Sequence, residues 1–167
     1  MKFITYYFLM LLVFLAACKP RSHRGTFQVS HIPGWLIDST PRNESQHLQM
    51  WAPNISIDHP GTANIIISVD RSKRTEEEFA LNTDKGIKKT MFKVQNLGKG
   101  TLQTGDYNFV WVHYRIRSKK PSGEVEQMVY YLSRRENMYM IVCTSQNGQL
   151  DLLKPKIDTL LSNFKAL

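Results

Sequence analysis

Residues able to do chemistry are few and widely spread. The five histidines, His23, His31, His47, His59 and His113, include no His-x-His or His-x-x-x-His pair, the spacings that bring two imidazoles onto one metal ion. There is no Gly-x-Ser-x-Gly elbow, no glycine-rich phosphate loop and no His-Glu-x-x-His, so the common hydrolytic and phosphate-binding constellations are missing. A Ser/His/Asp set can be assembled on paper, but no spacing singles one out. His113 shares one side of an alternating run with Trp111 and reads as a satisfied sheet histidine. Cys143 lies in the strand-like run Met138–Thr144. It reads as a small buried hydrophobe, because a nucleophilic thiol needs a base nearby and the sequence offers none locally. The expectation is a chain with no catalytic residues, no metal and no cofactor. What remains is Cys18, directly after Leu15-Ala16-Ala17: a thiol behind small side chains at the end of an apolar run.

The segment that positions Cys18 begins with Met1 and Lys2 and then runs uncharged from Phe3 to Ala17. A spanning helix needs about 20 apolar residues, so this run is short for one. A positive start, a short apolar core and small residues before a break describe a secretory signal. Leu15-Ala16-Ala17-Cys18 resembles the lipobox of bacterial lipoprotein precursors. The resemblance implies a diacylglyceryl thioether on Cys18, cleavage before it, and acylation of the freed amine, typically with palmitate. The plainer alternative is an ordinary signal or uncleaved anchor with a coincidental cysteine. Each buried methylene contributes about 0.8 kcal/mol, so two or three acyl chains hold where one barely does. Residues 1–17 are thus expected to be a signal peptide, 18–26 a lipidated tether and 27–167 one globular domain. Lys19 in place of an aspartate points to the outer membrane facing the periplasm, if the cell is Gram-negative. Lys19, Arg21 and Arg24 also suit anionic head groups.

The 22 Lys and Arg outnumber the 14 Asp and Glu. Losing residues 1–17 removes only Lys2, leaving an excess of +7. Such an excess favours anionic lipid, polymer or protein partners, but it is too diffuse to argue for nucleic acid. With Cys18 carrying lipid, Cys143 has no partner for an intrachain disulfide.

Period-two and helical patterns give the order of elements. Phe27–Trp35 alternates into a Pro33-Gly34 turn; 36 to 46 is polar and expected to be irregular; Leu48–Ala52 and Thr62–Val69 read as strands around a loop at 53–61. Thr75 and Glu78 form a capping box, followed by Phe79, Thr83, Ile87 and Met91 at helical spacing. Acidic residues open this helix and Lys85, Lys88, Lys89 and Lys93 close it, as the helix dipole favours. The lysines read as an anion-binding face or, more simply, a solvated one. Then come Val94–Gln103 with a bulge at its glycines, a turn at 104–106, Tyr107–Arg117, a hairpin at 118–123, Glu124–Ser133 and Met138–Ser145. A closing helix carries Ile157, Leu160, Leu161 and Phe164, with Pro155 in its first turn.

This order, with Phe27-x-Val-x-x-Ile-Pro-Gly-Trp35 near the start and Leu160-Leu-Ser-Asn-Phe164 at the end, resembles the PsbP/DcrB-like group. The resemblance covers about residues 27 to 165 and implies an α+β fold, a central antiparallel sheet of about six to seven strands with helices packed on both faces (an α/β/α sandwich). It implies no functional residue, because its motifs mark the fold. The long segment 36–61 departs from the pattern.

Along Tyr107–Arg117, Tyr107, Phe109, Trp111 and His113 fall on one side and Val110, Val112, Tyr114 and Ile116 on the other. Tyr107, Phe109 and Trp111, with Tyr131 and Tyr139 expected nearby, are either core or an apolar groove for a peptide or acyl chain. Three functional readings follow. The first is a membrane-anchored, non-catalytic binding or accessory subunit in the cell envelope, with a protein partner there. The second is a carrier of a lipid or small apolar ligand, and the third a hydrolase.

Overall fold

The computed structural model describes residues 26–39, 46–52, 63–91, 93–117, 123–146 and 148–167. The signal segment, Cys18, most of the tether with His23, the loop at 53–61 with His59, and the 118–122 turn lie outside the described residues. Among the described residues, nine strands and two helices follow in order: β1 Phe27–Gln28, β2 Leu36–Asp38, β3 Gln46–Trp51, β4 Asn64–Arg71, α1 Glu76–Thr90, β5 Lys93–Thr104, β6 Tyr107–Arg117, β7 Glu124–Arg134, β8 Asn137–Gln146, α2 Leu150–Ser162 and β9 Lys165–Ala166. Seven strands form one antiparallel sheet in the order β2-β3-β4-β8-β7-β6-β5, and β1 pairs with β9 in a separate two-stranded sheet. Helix α1 carries the chain from β4 to the far edge, from which the β5–β8 meander runs back to β4.

Turn chemistry sets much of this register. At Ile32-Pro33-Gly34-Trp35, Gly34 has φ 80° and Trp35 N donates to Ile32 O at 3.0 Å. This is the type II geometry that proline at the second position and glycine at the third prefer. Arg135 and Glu136 both have positive φ, 50° and 62°, and join β7 to β8 by a two-residue hairpin of the type I′ kind, unusual without glycine or asparagine. Glu136 is held there by Arg71 at 3.1 Å and Lys73 at 3.3 Å, which keep its carboxyl below the usual range, the Arg71 hydrogen bond first.

Alternate residues of each strand fall into two apolar clusters. One contains Phe109, Tyr130, Leu132, Tyr139, Ile141 and Cys143, with Ile157, Leu160 and Leu161 of α2. The other contains Val112, Tyr114, Ile116, Val129, Tyr131 and Met138, with Ala80 of α1. Helix α1 starts as the sequence predicts. Thr75 Oγ1 accepts from Glu78 N at 3.2 Å and Glu78 Oε2 accepts from Thr75 N at 3.0 Å, satisfying two end donors at once. Among the described residues no helix is long and apolar enough to cross a membrane.

Several expectations need correction. The Phe27–Trp35 strand is only two residues long before its turn. Leu36–Asp38, expected to be irregular, is the edge strand β2, paired with Trp51–Gln49 of β3. Helix α2 begins at Leu150, so Pro155 lies inside it rather than in its first turn; the helix is kept by burial of Leu150, Ile157, Leu160 and Leu161 despite the missing N–H. Tyr131 belongs to the α1 cluster; its neighbour Tyr130 is the one near Phe109. A one-residue shift changes the side of the strand.

Candidate functional site

The aromatic residues singled out on β6 divide. Phe109 is fully buried, and Phe164, just beyond α2, meets it edge-on with ring centroids 6.1 Å apart. Phe164 also contacts Phe27, Tyr107 and Tyr139 at 5.7, 6.4 and 5.7 Å. Offset and edge-to-face aromatic packing of this kind adds stability beyond the area buried. Tyr107 is partly covered, with the Arg134 guanidinium 5.2 Å above its ring, and its hydroxyl accepts from Ala166 N at 3.1 Å. Trp111 lies over the glycines of β5. A Cβ on Gly100 would sit 3.0 Å from its Cζ2, and one on Gly98 3.5 Å from its Cζ3. Its Nε1 donates to Thr101 O at 3.3 Å. At Gly100 the indole takes up the room of a side chain, whereas at Gly98 a Cβ would make an ordinary contact.

Beyond Trp111, β6 and β7 carry a polar trio that the sequence reading did not assemble. Arg115 stands opposite Glu126 in the strand register and bonds it at 3.0 Å, while His113 Nε2 lies 3.8 Å from the same carboxylate. Glu126 is buried, and a buried carboxylate without such a partner would cost several kcal/mol, about 3–5. Arg115 therefore compensates the buried charge of Glu126 within the sheet, whereas His113, expected to be a satisfied sheet histidine, has its Nε2 buried without a hydrogen-bond partner because the 3.8 Å to Glu126 is too long for one. Cys143 is fully buried and free, and burial pushes its thiol pKa up, which leaves less thiolate for chemistry. Among the described residues no three His, Cys, Asp or Glu are grouped to hold a metal ion.

An open groove of about 380 Å³ lies on the opposite side of β6. Helix α1 sits mainly over β6 and β7, so the strip between it and β5 stays uncovered. Ala80, Leu81, Val110 and Val112 line it with apolar surface, and Asp84 and Tyr114 line it with polar groups. Leu81 is 56% exposed and forms a lip. Lys88 holds Asp84 Oδ2 at 2.8 Å, but Asp84 Oδ1 and the Tyr114 and Tyr131 hydroxyls are buried with no hydrogen bond of normal geometry. Burial raises the Tyr114 phenol pKa, and the charges of Tyr131 and Asp84 and a weak hydrogen bond to Asp84 raise it further. Burial likewise pushes Tyr131 up to about 12. Trp35 Nε1, Asn64 Oδ1, Ser68 Oγ and His113 Nε2 are likewise buried without a hydrogen bond of normal geometry, so such atoms are spread over the domain rather than gathered at the groove. The sequence signalled Tyr114 only as one apolar-side residue of β6. Nothing in the periodicity tells how far sideways a helix lies across a sheet.

No family model matches the chain, and no curated protein matches it by sequence. Solved structures do resemble it. A protein of unknown function from Pseudomonas aeruginosa superimposes with a TM-score of 0.58 at 13% identity, over 83% of this chain and 95% of its own. The cyanobacterial PsbP protein (CyanoP) of Synechocystis gives 0.57 at 11% identity, over 90% and 98%. LpqN, involved in cell envelope biogenesis of Mycobacterium tuberculosis, gives 0.56 at 12% identity, over 90% and 87%. At such identities the likeness concerns the fold alone: a seven-stranded antiparallel sheet with two helices, which is PsbP-like.

Proposed function

We propose that this chain is a lipoprotein of the bacterial cell envelope, acylated at Cys18, whose single domain serves as a non-catalytic binding or accessory subunit of a membrane-associated assembly. The observation that carries the reading is the placement of Cys18. It ends the apolar run Phe3–Ala17 directly after Leu15-Ala16-Ala17 and stands a short way before the fold begins. Thr26 is pinned to the domain, its carbonyl accepting from Leu167 N at 2.9 Å and from the Tyr139 hydroxyl at 3.3 Å. The stretch from Cys18 to Thr26 reaches at most ~28 Å when extended, so an acylated chain would work close to its membrane. The fold supports the same reading. Its seven-stranded antiparallel sheet with two helices resembles LpqN, a protein involved in cell envelope biogenesis, and CyanoP, and a sandwich with helices packed on both faces is part of the proposal. Lys19 after the cysteine favours the outer membrane, facing the periplasm, in a Gram-negative cell.

Metabolic labelling with an alkyne palmitate, followed by membrane fractionation, tests the anchor. The full chain should carry label and sediment with membranes, and Cys18→Ser should lose both. Label retained in Cys18→Ser would sink the proposal. In-cell crosslinking then tests the accessory role: a partner captured by the full chain should disappear with Cys18→Ser.

A further inference from the structure

We propose that the end of the sheet carrying Arg71, Lys73, Arg134, Arg135 and Lys165 is a docking surface for the anionic head groups of a phospholipid bilayer, so that the domain stands on its membrane with this end down. This docking rests on the N-terminal anchorage proposed above and names the part of the domain that meets the lipid.

The place where the chain enters the domain selects the end. Thr26 precedes β1, and its carbonyl accepts from the Tyr139 hydroxyl at 3.3 Å. Tyr139 lies near the start of β8, beside the Arg135-Glu136 turn. Burial and Tyr107 raise the Tyr139 phenol pKa, while the charges of Arg134 and Arg135 pull it down. Both guanidinium groups are therefore within electrostatic reach of the hydroxyl that holds Thr26. Arg134 also covers the Tyr107 ring, and the Tyr107 hydroxyl accepts from Ala166 N, next to Lys165, which pairs with Gln28. Arg71 stands opposite Asn137 and shares Glu136 with Lys73. All five cations are exposed. They outnumber the acids of this end, Glu136 and Asp106 of the β5–β6 turn. Asp70 and the acids that open α1 belong to the side of the other cluster.

Lys89, Lys93 and Arg117 gather at the opposite end of the sheet, so charge alone does not choose between the two. Reach does. Strand β5 runs from Lys93 at the far end to Thr104 at the near one, and at ~3.3 Å per residue it is about 36 Å long. Standing the domain on its far end would lift Thr26 by about that much, beyond the ~28 Å that the chain from Cys18 can span. Lys and Arg held near an anionic surface are drawn to it, and a Debye length of about 8 Å at physiological salt confines the attraction to the end brought close.

The test uses the full chain in nanodiscs of phosphatidylcholine alone, or of equal parts phosphatidylcholine and phosphatidylglycerol, each doped with a gadolinium-chelating lipid. Methyl NMR should show stronger broadening at Leu132 and Ala166, near Thr26, than at Ile87 and Val94, and the difference should grow with phosphatidylglycerol. Arg135→Glu with Lys165→Glu should cut the end-down population about 25-fold or more, at about five-fold per cation lost. Lys89→Glu with Lys93→Glu, an equal change of net charge at the far end, should leave it unchanged. Should the first variant fail to fold, raised salt should erase the phosphatidylglycerol effect in the unaltered chain. Equal broadening at both ends, or a pattern indifferent to phosphatidylglycerol and salt, would overturn the proposal. An equal response to the two charge reversals would overturn it as well, because it would show attraction by net charge alone. The intact mass of the same sample reads acylation at Cys18 separately. The expected broadening on an unacylated chain would uphold the docking surface and defeat the lipoprotein reading; its absence on an acylated chain would do the reverse.

Discussion

Phe164 and Tyr114 are both fully buried aromatic residues, yet they sit in regions built differently. Phe164 touches four other rings in a cluster closed by α2, β1 and β9. Tyr114 lies under a helix that covers only part of its side of the sheet, beside a groove and two other unpaired polar atoms. The first region spends its aromatic residues on packing and ties the two ends of the chain together, with Phe27 opposite Ala166. Among the described residues the second has a single aromatic contact of that kind, Phe79 with Tyr131 at 6.0 Å, while both sides keep grooves and an unsatisfied buried polar atom or more. Evenly distributed packing would not give so dense a ring cluster on one side alone, so the contrast is one of aromatic packing, concentrated on the α2 side.

The largest expected effect is on the closed side. Phe164→Ala should destabilise by about 3–5 kcal/mol, the usual range for emptying a buried phenylalanine site. That is a large part of a typical domain's ~5–15 kcal/mol, and the β1–β9 pair should loosen with it. Urea unfolding of the full chain checks this. A loss below about 1.5 kcal/mol would mean that the cluster repacks and that the contrast is weaker than drawn.

Alkali tests both sides together. Burial raises the Cys143 thiol and the Tyr130 phenol in the α2 cluster, and Tyr114 and Tyr131 in the α1 cluster. A group whose folded pKa is raised stabilises fully below its unfolded pKa, and that contribution is lost as the pH climbs through the folded value. Melting temperature should therefore hold to about pH 8.5, the free thiol value, and fall as the pH passes about 10, the free tyrosine value, towards 12. Cys143→Ala should remove the earliest part of that fall. A flat profile to pH 11 would show that these groups are not shielded.

Much of the closed side was legible in the sequence and little of the open one. Asn64–Arg71 carries three consecutive isoleucines, and a buried central strand follows from that composition almost unaided. The capping box placed the start of α1 to the residue. Leu36–Asp38 was not legible, because three residues in a polar stretch carry too little pattern and β2 exists through pairing with β3. The positive φ values of Arg135 and Glu136 are not legible from their residue types, because the two long strands they join impose them. Tyr131 was assigned to the wrong side of its strand because pairing register across β6 and β7 decides the matter, and register is a long-range property. The groove depends on the lateral position of α1, which side-chain packing sets and no local period encodes.

Gly100→Ala sharpens the comparison at the boundary between the regions. The new methyl would press on the Trp111 indole at about 3.0 Å, and overpacking of this sort costs about 1–3 kcal/mol. Trp111 is only partly buried and can slide outward, so the lower figure is expected, with a red shift of tryptophan emission. An unchanged spectrum would mean that the indole does not rest on the β5 glycines in solution.

The smallest effect should come from Tyr114→Phe, and its sign is the informative part. A typical intramolecular hydrogen bond contributes about 0.5–1.5 kcal/mol net, whereas an unsatisfied buried hydroxyl costs free energy that an apolar replacement of the same shape recovers. With no hydrogen bond of normal geometry at Tyr114 Oη, the phenylalanine variant should match the parent in urea unfolding or exceed it by up to about 1 kcal/mol. A loss of about 1 kcal/mol instead would reveal a partner in solution, such as Asp84 drawn closer or an ordered water. The α1 side would then be more completely satisfied than its geometry alone indicates, with Asp84, already beside the phenol, as the nearest partner.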